Sequence, residues 1–350
     1  MSKANRILIH NDTVNLSLDL NGGAITDFHL NSSGINPLSF CFSQDQMPDN
    51  NKNGAPFQGH FLCLGRWGEP SSGEKNAGVP FHGQFAAIPW EINTLRKNEL
   101  IGMQAQSLLE GLTINRRIYL DQSNPLYLVK EKVANLNPLG RLFSMVQHPS
   151  LATPFLDNNI MVNCNATFGF DQIHYKEIQT HLLKWATLYN PLTNSNPVYT
   201  TDAREDIVRS YIVAEQSTYG WITAYSPSTN TLLGYLWPRK DYPWIHIWEH
   251  VEDGNLIYMG LEFGDTAIHQ PFHKILATTT TLFGENTFGR IDSGELIEKQ
   301  FVSFITEPPQ NFSGINNIVI NNGKLHCQTE GGIPDLVFNL DPLLIHELSK

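Results

Sequence analysis

What narrows the fold first is a two-residue period that returns along most of the chain and breaks at Asn-Gly and Asp-Gly pairs. Val14, Leu16, Leu18 and Leu20 alternate with Asn15, Ser17 and Asp19, then Asn21-Gly22-Gly23 precedes a second alternating run to Leu30. Such alternation ending at Asn-Gly specifies two antiparallel strands joined by a tight turn. Further on, Leu112, Ile114, Ile118 and Leu120 share a face interrupted by Arg116, and Tyr127, Val129 and Val133 share one interrupted by Glu131. These read as long strands of a half-buried sheet.

The second half repeats the theme. Runs 244–251 and 256–263 flank Glu252-Asp253-Gly254-Asn255, whose Asp-Gly centre predicts a two-residue turn. With Glu252 opposite Asn255, simple counting sets Ile245 across from Glu262 and leaves His246 on the far face. Leu142 to His148 alternates too, and Pro149 is expected to end the pairing, which puts His148 at a strand end. Residues 157–205 are polar and irregular and are expected to be loops. After Gly294 a helix-like segment is expected, then a hairpin around Asn322-Gly323. The predicted class is all-β, a large antiparallel sandwich over residues 1–290 with an appendage at 291–350.

Composition sets the functional limits. The 350 residues are 41% hydrophobic and 16% charged, enough for a substantial core. A net charge of -11 without a Lys/Arg cluster argues against nucleic acid. No apolar run is long enough to predict a membrane span, and the N-terminus lacks a secretory pattern. Four scattered cysteines fit free thiols, so a cytoplasmic protein, monomer or homodimer, is expected. No phosphate-cradling glycine motif is present, and no cofactor is expected.

The chemistry is expected to begin in the Gly- and Pro-rich stretch 57–90, which carries Arg66, Trp67 and Phe81-His82-Gly83. A His beside Gly places an imidazole on backbone that can approach a ligand closely. His246-Ile-Trp-Glu249-His250 matches an inverted zinc-protease motif, but that motif needs a helix. Along a strand the two His would stand about 13 Å apart at about 3.3 Å per residue, too far for one ion. No metal is expected there.

In order and spacing, Leu64-Gly65-Arg66, His82-Gly83 with Trp90 following, His148 after a hydrophobic strand, and Leu261-Glu262 resemble the motifs of the aldose 1-epimerase (galactose mutarotase-like) superfamily. The resemblance covers roughly residues 10–285. It implies a β-supersandwich that interconverts the anomers of a free aldose, a small-molecule carbohydrate, with Glu262 as base and His148 as acid. His82 and Arg66 would hold hydroxyls, and Trp67 or Trp244 would stack on the sugar. Three features depart from the family, the first being that its usual Gln and Pro-Asp after the Glu are replaced by Phe263-Gly264-Asp265. The chain reads His82-Gly83-Gln84-Phe85-Ala86-Ala87 where related hexose-6-phosphate enzymes have HGFAR, so a phosphate-binding Arg is missing unless Arg66 or Arg239 replaces it. The family's hydroxyl-binding Asp has only positional candidates, Asp206 and Asp202. A non-catalytic carbohydrate-binding or sensing protein on the same scaffold is the alternative; an oligosaccharide isomerase or lyase would show a long open cleft.

Overall fold

The computed structural model describes residues 5–185 and 206–348. Among these, two antiparallel sheets of ten and eight strands face each other, and the chain is all-β with three short helices. The predicted first hairpin forms as Val14–Asp19 and Ala24–Leu30. Val14, Leu16 and Leu18 are wholly buried between the sheets. Each such side chain contributes about 1.5–3 kcal/mol on leaving water. No helix among the described residues is long and apolar enough to cross a membrane.

The two charges that interrupted apolar faces find each other. Arg116 and Glu131 are directly opposed on neighbouring strands, both buried, with Nε donating to Oε1 at 2.7 Å. Arg116 also donates to the Gly23 carbonyl and lies over the Trp90 ring. The other Glu131 oxygen accepts from Gln147 and from the Tyr242 hydroxyl, and Gln147 in turn meets the His60 ring. The buried Arg116–Glu131 pair is thus hydrogen-bonded on both sides, the condition under which buried charge is tolerated, although His60 Nδ1 at the end of the network has no partner among the described residues.

Four expectations need correction. The segment after Gly294 is not helical: Leu296–Thr306 is an eleven-residue strand between Leu126–Asn135 and Thr231–Pro238. Its core is rich in β-branched and aromatic residues that pack on a pleated surface better than on a helix. A boundary at 290/291 therefore falls ahead of a strand of the main sandwich, and the three-stranded sheet beyond it starts at Ile315. Residues 157–185 are not merely loops, since Met161–Cys164 and Ala166–Asp171 join the two large sheets. A bulge between Ala166 and Gly169 breaks the alternation that would have marked the second. Pro149 does not end its strand: Met145–Leu151 runs through it, with Pro149 opposite His60.

Candidate active site

Five neighbouring strands of the ten-stranded sheet build the floor of the site: His60–Leu64, Met145–Leu151, Asn255–Gly264, Trp244–Glu252 and Ile207–Val213. Register decides what meets. Phe61 faces His148. Gln147 opposite Phe263 and Ser150 opposite Gly260 set His148 across from Glu262. Glu262 also faces His246, which faces Ser210. Cross-strand partners share a face of the sheet, so Phe61, His148, Glu262, His246 and Ser210 form one row. His246 was expected on the other face. A bulge at His250/Val251 adds one residue between the Asp-Gly turn and the site and reverses its side.

At the centre of the row, His148 Nε2 lies 3.3 Å from Glu262 Oε1, both groups almost fully buried. The other carboxyl oxygen accepts the Trp67 indole N–H at 2.8 Å. Ser150 Oγ donates to the His148 carbonyl and sits 2.9 Å from Nδ1, so the network assigns the ring proton to Nδ1. Nε2 is left as an acceptor towards Glu262. Burial raises the Glu262 pKa to about 8, with the Trp67 hydrogen bond pulling weakly the other way. Burial lowers that of His148 to about 3. Both directions favour neutral partners in a dry site. Near neutral pH the contact therefore holds one proton, and the two groups titrate as a pair.

The surrounding groups are also held in place. The His82 backbone has φ 63° and Gly83 φ 82°. A Cβ on Gly83 would come 2.4 Å from the Leu64 carbonyl oxygen, so the turn requires glycine there. His82 Nδ1 accepts from the Gly68 N–H, which turns Nε2 outward as a donor. Gly68 is crowded on its other side by the His269 ring, 2.6 Å from where its Cβ would be. The His269 backbone N–H donates to Gln172, whose amide reaches Ser210 and the Ala267 carbonyl; Ser210 Oγ meets His246 Nδ1. Trp67 packs on His246 with ring centres 4.1 Å apart. Burial lowers the pKa of His82, His246 and His269 alike.

Above the row opens a cavity of about 300 Å³, at the lower end of the range for small-molecule sites. Its walls include Phe40, Phe42, Phe57, Trp67, Phe81 and Trp248, with His82, His148, Glu262, His269 and Asp206 as the polar groups. A larger hollow of about 620 Å³ lies over the eight-stranded sheet, lined mainly by polar and charged side chains; its Lys132–Glu298 ion pair is half exposed, unlike the buried His148–Glu262 contact.

Of the residues singled out in the sequence, Glu262, His148, His82, Trp67 and Asp206 come together at the cavity. Asp206 sits at its rim, largely exposed and paired with His250. Arg66 does not line it: its guanidinium is buried against Glu74 and over the Phe272 ring. Trp244 does not either: it shares the site face, two residues along the strand from His246, but is enclosed there by Phe170, Ile268 and Leu282. Arg239 pairs with Glu285 away from the cavity. Asp202 lies outside the described residues. The sequence reading missed His246, His269 and Trp248 as site residues. His246 and Trp248 needed the bulge to be placed, and His269 follows the last site strand on irregular backbone, where periodicity gives no signal.

The class defined by this architecture is the galactose mutarotase-like fold. Solved structures that share it include the Slr1438 protein of Synechocystis sp. PCC 6803 at TM-score 0.61 and 13% identity, covering 88% of this chain and 99% of that one. A galactose mutarotase-like protein from Clostridium acetobutylicum matches at 0.58 and 13%, covering 86% and 95%. A GalM/aldose epimerase homologue from C. elegans matches at 0.55 and 11%, covering 87% and 99%. No family model and no curated protein matches the sequence.

Proposed function

We propose that the protein is an aldose 1-epimerase-like enzyme that exchanges the anomers of a free, unphosphorylated monosaccharide. The observation that carries this reading is the 3.3 Å contact between His148 Nε2 and Glu262 Oε1 at the base of an aromatic cavity. Anomer exchange must take a proton from the C1 hydroxyl while giving one to the ring oxygen, and both oxygens are bonded to the same carbon. Two groups placed side by side and sharing one proton meet that demand.

In the productive form the proton stands on His148 Nε2 and Glu262 is a carboxylate. Glu262 removes the C1 hydroxyl proton as His148 protonates the ring oxygen; the C1 to ring-oxygen bond breaks and C1 becomes an aldehyde. The pair is then carboxyl and neutral imidazole, the arrangement that burial favours. The ring-opened sugar thus meets a site already matched to it, as preorganised stabilisation requires. Rotation about C1–C2 and the reverse transfers close the other anomer. His82 Nε2 is placed to donate to a hydroxyl, Asp206 to accept from one, and Trp248 or Phe42 to cover a sugar face. The absence of any arginine or lysine from the described lining supports an uncharged substrate, and the cavity's size supports a single ring.

The test is anomer exchange by NMR on a panel of free aldoses. Each proton-transfer group is worth roughly 10²–10⁴ in rate, so Glu262→Gln and His148→Asn should each lose that much while sugar still binds. Tight binding of a sugar by the native protein with no acceleration of its exchange would instead establish a non-catalytic carbohydrate-binding protein.

A further inference from the structure

A second constellation lies outside the cavity, on the turns that follow Ala166–Asp171. His174, Glu177 and His181 each offer a ligand atom, and the three atoms lie within 4.8 Å of one another. The His174 and His181 rings are stacked, centres 3.9 Å apart and 4° from parallel. His181 Nδ1 stands 3.9 Å from Glu177 Oε2. We propose that these three side chains bind a divalent transition cation of the zinc, copper or nickel class.

The donor set argues for that class. Two imidazole nitrogens and one carboxylate suit borderline ions, whereas magnesium and calcium call for oxygen ligands throughout. Metal–ligand bonds of roughly 2.0–2.2 Å put tetrahedral ligands about 3.4 Å from one another. The present spacing, up to 4.8 Å, needs to close by at most about 1.4 Å, and side chains that are half-exposed, as His181 is, or exposed, as Glu177 is, can make that adjustment by rotation. Three protein ligands leave a position open to water.

The backbone is already arranged for it. His174 ends the turn Gln172–His174, and His181 caps the turn Ile178–Thr180, with its backbone N–H returning to the Ile178 carbonyl. Thr180 Oγ donates to the Glu177 carbonyl and sits 2.9 Å from His181 Nδ1, itself 3.2 Å from that carbonyl, so these contacts hold the ring in place and ligation through Nδ1 would replace them. The same segment opens with Gln172, the residue that holds both Ser210 and the His269 backbone at the cavity. A cation here would clip together a stretch on which the floor of the cavity depends.

Calorimetric titration of the chelator-treated full-length protein with zinc tests the assignment. The expected result is one saturable site per chain, unaffected by millimolar magnesium and lost in His174→Ala/His181→Ala. Glu177→Gln, an exposed change that leaves folding intact, should weaken it about tenfold. Near-UV circular dichroism confirms that each variant is folded. No saturable zinc binding, or binding retained by the double variant, overturns the proposal.

Discussion

Replacing Glu262 with Gln should remove the proposed activity and make the protein more stable in mild base. In the folded chain burial raises this carboxyl from its ordinary 4.5 to about 8; in the unfolded chain it ionises at its ordinary value. Between those limits the folded state holds a proton that the unfolded state lacks, so stability falls as pH rises, by about 1.4 kcal/mol per unit. Summed over the whole shift this comes to about 5 kcal/mol, and proton sharing across the 3.3 Å contact with His148 returns part of it. Gln keeps an oxygen for the Trp67 indole and removes the titration. The stability difference, variant minus native, should therefore grow by about 3–5 kcal/mol from about pH 5 to about pH 8 and then level off. Other buried groups cancel in that difference. Urea unfolding followed by tryptophan fluorescence at several pH values measures it. Parallel curves for the two proteins across that range would show that Glu262 ionises normally, and the argument from its burial would be wrong.

Three further outcomes follow from other contacts. Trp67→Phe deletes the hydrogen bond that lowers the Glu262 pKa, so the alkaline limb of the exchange rate should move to higher pH; a limb that stays put refutes the link. Gly83→Ala places a methyl on backbone at φ 82° and against the Leu64 carbonyl. It should cost about 2 kcal/mol or more and weaken sugar binding through His82, read by thermal melting and calorimetry. Glu131→Leu strands the Arg116 guanidinium in the core, a loss of about 3–5 kcal/mol, whereas Arg116→Met with Glu131→Leu should lose much less; equal losses in urea unfolding would mean that the pair is not coupled.

How far the sequence reached depended on which interactions are local. The hairpins at Asn21-Gly22-Gly23, Asp253-Gly254 and Asn322-Gly323 were legible because a tight turn and its flanking alternation are written within a dozen residues. Arg116 and Glu131 showed as two breaks in apolar faces, and only strand register revealed that each answers the other. Leu296–Thr306 and Ala166–Asp171 were lost for opposite reasons: one is too continuously apolar at its centre to show a period, and the other has its period broken by a bulge. At the site, Glu262 and His148 were found through a family resemblance. Arg66 and Trp244, chosen on the same resemblance, are buried away from the cavity: Glu74 and Phe272 hold the Arg66 guanidinium, and Trp244, though on the site face, is covered by Ile268 and Leu282, packing that no motif records.

The bulge at His250/Val251 has the larger consequence for function. Without it, as simple counting had it, Ile245 would face Glu262 and a branched alkyl group would fill the side that His246 now occupies. With it, a carboxyl group lies between two imidazoles, under Trp67, with a ring centre 4.1 Å from that of His246. An apolar neighbour would raise the Glu262 pKa further by excluding water more completely, whereas a polar ring tied through Ser210 to Gln172 keeps a fixed dipole beside it. One inserted residue in a hairpin therefore sets which side chain stands beside the group on which the proposed chemistry turns.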